Sequence, residues 1–213
     1  MYANLCRDLS AIMERDPAAS NRLAAMFLYP SFQVMVAYRL SHGLWSIGFH
    51  FIARLIMQFA RILTGIEIHP AAKIGPGFFV DHGMGTVIGQ TTEIGRDVTL
   101  YHDVTLGGVM PAIDSQEQRN VKRHPTLGDY VIVGAGAQIL GPITVSRCAR
   151  VGGNSVVTKD VPEGATVVGV PARQMSKGSA KPSDEASFMP YAVHSGIDSD
   201  PRERTIRALV TEM

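Results

Sequence analysis

The sequence predicts an all-β parallel β-helix, a hexapeptide-repeat solenoid, preceded by an α-helical N-terminal segment. Three observations predict it. An aliphatic residue returns every six positions: Ile68, Ile74 and Val80, then Ile88, Ile94, Leu100 and Leu106, then Leu127, Val133, Ile139, Val145, Val151 and Val157. Four places after most of these stands a small or β-branched residue, such as Ala72, Thr92, Val98, Val104, Val131, Ala137, Ile143, Ala149, Ser155 or Val161. Glycine often follows the aliphatic, as in Ile74-Gly75, Ile88-Gly89, Leu127-Gly128 and Val151-Gly152. A helix repeats near 3.6 residues and a plain strand at 2. A period of six therefore means short strands joined by tight corners. The aliphatics stack along the interior, the small residues fill the narrow space beside them, and glycine accepts corner dihedrals that a Cβ resists.

The elements follow in order. Residues 1–66 read as helical. Asp16-Pro17 has the form of an N-cap followed by proline at the first helical position. Ser31 suits the cap of the next helix, Gly43 and Gly48 mark weak points between segments, and Gly65 suits a helix C-terminus. Residues 67–175 form the solenoid, closing on Val170-Pro171-Ala172-Arg173. Residues 176–213 are rich in Ser, Lys, Pro, Asp and Gly at first and read as a linker or tail. Asp200-Pro201 then opens a short helix through Leu209. The helical segment is expected to cover one end of the solenoid, where strand edges would otherwise be unpaired. Flat solenoid faces invite self-association with cyclic symmetry.

Composition narrows the function. A formal net charge of +1 over 213 residues argues against nucleic-acid binding, which calls for a basic face. Two cysteines, Cys6 and Cys148, make no disulfide framework and read as free thiols. Residues 1–20 show no secretory signal. The most apolar stretch, Phe32 to Leu63, is broken by Arg39, His42, His50, Arg54 and Arg61. It falls short of the ~20 apolar residues of a membrane span. A cytoplasmic protein with no membrane partner is expected.

The sixfold register fails twice, and chemistry collects at both failures. From Val80 to Ile88 the step is eight, and the bulge carries Asp81-His82-Gly83-Met84-Gly85. From Leu106 to Leu127 the step is twenty-one, and that loop ends in Lys122-Arg123-His124-Pro125. Insertions leave a solenoid where stacking is undisturbed, and they often carry function. A histidine titrates near neutral pH and suits a general base, given a carboxylate to fix its tautomer. Glu67, about one coil below His82, and Asp81 are the candidates for that partner. His82 and His124 lie about two coils apart, which points to a site between subunits. His69 and His102 read as corner residues. His42, His50 and His194 belong to no constellation.

The ordered set Ile68-His69-Pro70-Ala71-Ala72-Lys73-Ile74-Gly75, Asp81-His82-Gly83-Met84-Gly85, Val104-Thr105-Leu106-Gly107-Gly108, Arg123-His124-Pro125 and Gly169-Val170-Pro171-Ala172-Arg173 resembles serine O-acetyltransferase, a hexapeptide-repeat acyltransferase. The likeness runs from about Asp8 to Arg173 and includes Arg15-Asp16-Pro17. It implies a left-handed coil and acetyl transfer from acetyl-CoA to L-serine, the first step of cysteine biosynthesis, with no metal. It implies His82 as the base, oriented by Glu67. Asp81 and Asp16 would bind the serine ammonium, Arg123 its carboxylate, and His124 would complete the pocket. Gly107 and Gly108 would contact the CoA arm or the oxyanion. Ala135 and Gly153 would let the pantetheine arm run between subunits, with Lys159 and Arg173 toward the CoA phosphates. A homotrimer or a dimer of trimers, and feedback inhibition by L-cysteine, are expected as well.

The chain departs from the family pattern at several points. Glu67 stands where the family has Asp, and Gln90 where it often has Glu. The loop from Val109 to Lys122 is long and lacks the family's glycines. The sequence ends Thr211-Glu212-Met213, whereas members that dock into cysteine synthase commonly end in isoleucine, so that complex is not expected. The rival readings are a solenoid acyltransferase with a sugar, antibiotic or other amino-acid acceptor, a γ-class carbonic anhydrase-like zinc enzyme, and a non-catalytic scaffold. The zinc reading requires a His-x4-His pair, and none is present among His82, His102 and His124.

Overall fold

The computed structural model describes residues 2–109, 116, 118, 119 and 121–175. The proposed tail and its short helix, and most of the long loop, lie outside the described residues. Four helices come first: α1 (Tyr2–Arg15), α2 (Arg22–Leu28), α3 (Pro30–Ser46) and α4 (His50–Thr64). In α4 the buried residues Ala53, Met57, Ala60 and Thr64 recur at helical spacing and form one stripe. Its outer face leaves Phe51, Phe59, Ile62 and Leu63 exposed. The helix stops at Gly65, which takes a left-handed φ of 70° and returns its N–H to the Arg61 carbonyl at 2.8 Å.

Two expected caps go elsewhere. Asp16 follows the end of α1, and its Oδ1 accepts the Ala18 amide at 2.8 Å in a turn. The cap of α2 is Asn21, whose side chain accepts the Ala24 amide. Helix α3 starts at Pro30, whose missing N–H would have had no intrahelical partner. Ser31 instead turns its hydroxyl to accept the Val80 amide of the solenoid at 3.0 Å. Gly43 lies inside α3, while Gly48, at φ 91°, does separate α3 from α4.

From Glu67 the chain winds in turn through three sheets. The first sheet holds β1 (Glu67–Ile68), β4 (Val87–Ile88), β7 (Thr105–Gly107), β10 (Gln138–Leu140) and β13 (Val156–Val157). The second holds β2 (Lys73–Ile74), β5 (Glu93–Ile94), β8 (Thr126–Leu127) and β11 (Thr144–Val145). The third holds β3 (Phe79–Val80), β6 (Thr99–Leu100), β9 (Ile132–Val133), β12 (Arg150–Val151), β14 (Thr166–Val168) and β15 (Arg173–Gln174). Every pairing is parallel except β14 with β15, which is antiparallel and turns the chain back. Each strand pairs with the one a full turn later, as Ile88 does with Leu106 and Leu106 with Ile139.

All the aliphatics of the period-six series are buried in one continuous core. Of the small or β-branched series, Ile143 alone is partly buried rather than sealed. The corners are stitched by a second ladder. Asp103 N donates to Met84 O at 2.9 Å, Gly136 N to His102 O at 3.0 Å, and Asn154 N to Ala135 O at 2.8 Å. Asp97, Asp103, Tyr130, Cys148 and Asn154 hold φ between 54° and 58° at such corners. Asp and Asn accept this left-handed conformation readily, and the closed ladder holds Tyr and Cys in it.

The helices close the first coil by hydrogen bonding as well as by packing. Its strands have no neighbour on one side, so their backbone groups need other partners. Asp8 accepts the Gly77 and Phe78 amides at 2.8 and 3.2 Å. Arg39 donates to Ile74 O and, at 2.6 Å, to Gly75 O. The Tyr38 hydroxyl donates to Ala72 O and accepts the Ile74 amide. Asp8 and Arg39 also pair with each other at 3.1 Å, 1% and 7% exposed.

Candidate active site

The two broken hexads sit at opposite edges of the first sheet. Asp81 and His82 follow β3 and precede β4, at the corner between the third and first sheets. Arg123 and His124 rejoin the coil just before β8, at the corner between the first and second sheets. A strand of two or three residues, about 7–10 Å, lies between the corners. The structure does not bring Arg123 or His124 to His82 within one chain.

At the first corner His82 projects into solvent, its side chain 77% exposed, on a backbone with φ 59°. Its Nε2 lies 3.8 Å from Asp81 Oδ1. Its ring meets His102 of the next coil edge to face, 5.9 Å between centroids. Asp81 is mostly covered, and burial raises its pKa; His82 opposes the rise and Asp16 adds to it. Asp16 therefore reaches this corner from the helical segment. Its Oδ2 accepts the Tyr29 hydroxyl at 2.6 Å, which pushes the phenol up to about 12. Asp16, Asp81, Tyr29 and the two imidazoles offer an acidic, hydrogen-bonding corner fitted to a small cation such as an ammonium group.

Glu67, expected beside His82, is in contact with the helical segment. Its carboxylate, 46% exposed, pairs with Arg61 of α4 at 3.0 Å. Arg61 lies in the last turn of α4, just ahead of Gly65 and β1, so its side chain reaches Glu67 directly. The carboxylate facing His82 is Asp81.

The second corner is cationic. His124, 6% exposed, seats its ring on Gly89, where a Cβ would fall 2.0 Å from His124 Cδ2. Its Nδ1 is 2.8 Å from the Thr91 hydroxyl and accepts the Thr91 amide at 3.2 Å. Lys122 Nζ donates to Thr91 O at 2.7 Å. Burial, then Arg123 and Lys122, hold His124 near pKa 4. His69 is also held near 4, by burial and then Arg54.

Most of the remaining candidates fall on the same two edges. Ala135 and Gly153 follow His102 in successive coils of the first corner, at matching places in its ladder. Gly107 ends β7 and Gly108 follows it, at the mouth of the long loop. Lys159 is exposed beyond β13, on the edge of Arg123 and His124 in a later coil, and Arg173 is exposed on β15 of the third sheet. Sequence reasoning passed over Tyr29, Arg61 and Thr91. For Thr91 a signal existed: counting coils places Gly89-Gln90-Thr91 directly below the return of the loop at Arg123 and His124. Among the described residues, no three His, Cys, Asp or Glu side chains group as metal ligands, and no single helix is long and apolar enough to cross a membrane.

A coil of hexads with a histidine bulge facing a groove of small residues defines a hexapeptide-repeat transferase. No family model matches the chain. Curated relatives do, two of which serve as examples. The serine acetyltransferase of Helicobacter pylori is 51% identical over 174 residues, 82% of this chain and 98% of the relative. That of Mycobacterium tuberculosis is 47% identical over 195 residues, covering 90% of this chain and 81% of the relative. The chain belongs to the serine acetyltransferase family. Solved structures share its fold, among them three with bound small molecules. The Neisseria gonorrhoeae enzyme in complex with serine matches with TM-score 0.76 at 36% identity, over 82% of this chain and 69% of that one. The Brucella abortus enzyme in complex with coenzyme A matches with TM-score 0.77 at 35% identity, over 84% and 69%. A serine acetyltransferase in complex with cysteine matches with TM-score 0.77 at 38% identity, over 82% and 69%.

Proposed function

We propose that the chain is a serine O-acetyltransferase: it moves the acetyl group of acetyl-CoA to the hydroxyl of L-serine, giving O-acetyl-L-serine and CoA, the first step of cysteine biosynthesis. The observation that carries this reading is the acidic corner holding His82, in a chain 51% identical to a serine acetyltransferase.

His82 is the general base. It takes the serine hydroxyl proton as that oxygen adds to the thioester carbonyl carbon. The carbon–sulfur bond then breaks, and the protonated His82 returns the proton to the leaving sulfur, which restores the base. Asp81, 3.8 Å away and beyond hydrogen-bond reach, favours the protonated imidazole electrostatically, and Glu67 remains the carboxylate first expected to orient it. Asp81 and Asp16 receive the ammonium group. Arg123 grips the carboxylate through its planar fork. Because Arg123 and His124 lie on the far edge of the first sheet, they serve the His82 of a neighbouring copy, and the assembly is cyclic, a homotrimer or a pair of trimers. The exposed face of α4 is available for packing in that assembly.

Ala135 and Gly153 leave room for the pantetheine arm along the first corner. Gly107 and Gly108 border it from the neighbour, and Lys159 and Arg173 reach toward the phosphates. The coil is read as left-handed. Residues 1–66 then serve assembly and the serine pocket, 67–175 catalysis, and 176–213 form a tail. L-cysteine, which shares the ammonium and carboxylate of serine, inhibits from the same pocket. The cytoplasm is the expected compartment.

The test is thiol release from acetyl-CoA with and without L-serine, for wild type and His82→Ala. Release that needs serine and collapses in the variant supports the reading. Release without serine dependence sends the acceptor search to other amines and sugars.

A further inference from the structure

The Thr91 hydroxyl is fully committed. Its oxygen accepts the backbone amides of Arg123 at 3.0 Å and His124 at 3.1 Å, which occupies both lone pairs. Its one hydrogen is then free for His124 Nδ1 at 2.8 Å. The Thr91 amide also points at Nδ1, at 3.2 Å. A backbone N–H only donates, so Nδ1 is the bare nitrogen, and a neutral imidazole must carry its proton on Nε2. Among the described residues Nε2 makes no hydrogen bond.

The geometry points to Thr91 as the positioning residue of the second corner: it anchors the return of the long loop at Arg123 and His124 and locks His124 as an Nε2–H donor. His124 thus presents a hydrogen bond to a substrate oxygen and is not a second base. Its low pKa keeps it neutral at working pH, so the donor persists. Gly89 completes the seat, because any side chain there would displace the ring. The part concerning the reaction rests on the acetyl-transfer reading above. The tautomer does not.

The experiment labels histidine with 15N and records two-bond proton–nitrogen correlations, with His124→Asn assigning the signal. Wild type should show a bare Nδ1 and a protonated Nε2, unchanged from pH 7.5 to about 5. Thr91→Val keeps the backbone amide on Nδ1, and so the tautomer, but frees the loop return and should lower kcat/KM for serine at least about tenfold, as loss of an aimed donor does. Thr91→Ser, which keeps the hydroxyl, should retain wild-type kcat/KM. A protonated Nδ1 in the wild type overturns the assignment without any variant needing to fold. So does a Thr91→Val protein with unchanged kinetics. Where no serine-dependent turnover exists, the tautomer alone decides, and the failure then belongs to the proposed reaction.

Discussion

The imidazoles of His82 and His102 meet edge to face, 5.9 Å apart, one coil apart on the same corner. The first ring sits in an inserted bulge and is 77% exposed, so the second is a wall that limits its rotation. We expect His82→Ala to lower kcat by about a hundredfold or more, the range for losing a general base. His102→Ala should lower it only a few-fold, with His102→Gln restoring part. Steady-state kinetics separate the two, and an equal loss in both would give His102 a direct part in proton transfer.

Arg123 lies across the first sheet from His82. Removing a charge-assisted contact of about 1.5–3 kcal/mol should raise the serine KM about ten- to a hundredfold in Arg123→Ala, with kcat less affected. Mixing His82→Ala with Arg123→Ala protein should recover activity. In a ring whose sites span two copies, random pairing rebuilds about a quarter of the sites. No recovery after co-refolding would place the whole site in one chain.

Asp8 and Arg39 tie α1 and α3 to the open edge of the first coil. Burial raises the Asp8 pKa even against Arg39, so the carboxylate depends on its four donors to stay charged. Asp8→Ala leaves the guanidinium buried without a counter-charge and should cost about 3–5 kcal/mol. The double change Asp8→Leu with Arg39→Met should cost less than the sum of the two single changes. Urea unfolding measures both, and simple additivity would mean the pair is not coupled.

Acid should loosen the second corner. His69 and His124 are both held near 4, below the ordinary 6.5, by burial and then by Arg54 and Arg123 respectively. Between those values the unfolded chain binds more protons than the folded one. Their contribution is therefore complete above 6.5, declines as pH falls through about 4, and changes no further below that. His69→Phe should flatten part of the decline in unfolding midpoint. An unchanged slope would assign the acid sensitivity elsewhere.

The coil was legible because its constraint is local and repetitive. Ile68, Leu100 and Val145 each face the same narrow interior, so each position repeats the same demand on side-chain size. The insertions were legible for the same reason, as interruptions of a strict period. The helix caps were misread because Asp16 and Ser31 have capping chemistry, which a sequence shows, but spend it on Tyr29, Ala18 and Val80, which it does not. Glu67 was given to His82 on stacking and on the family resemblance. The long Arg61 side chain, six residues earlier, claims it, and sequence distance gives no hint of which contact wins. Thr91 belongs to no motif, and only the stacking of coils sets its hydroxyl beneath the loop.

The ladder that places His102, Ala135 and Gly153 one per coil makes this edge of the molecule a ruler, graduated at about 4.8 Å by the spacing of paired strands. Distances along the groove change only in whole graduations. A relative with one more coil between the histidine corner and the glycine would reach a longer acyl carrier with the same chemistry at its foot. One with a coil fewer would exclude it. Reach and reactivity are then separate dimensions of this fold, and each can be altered without touching the other.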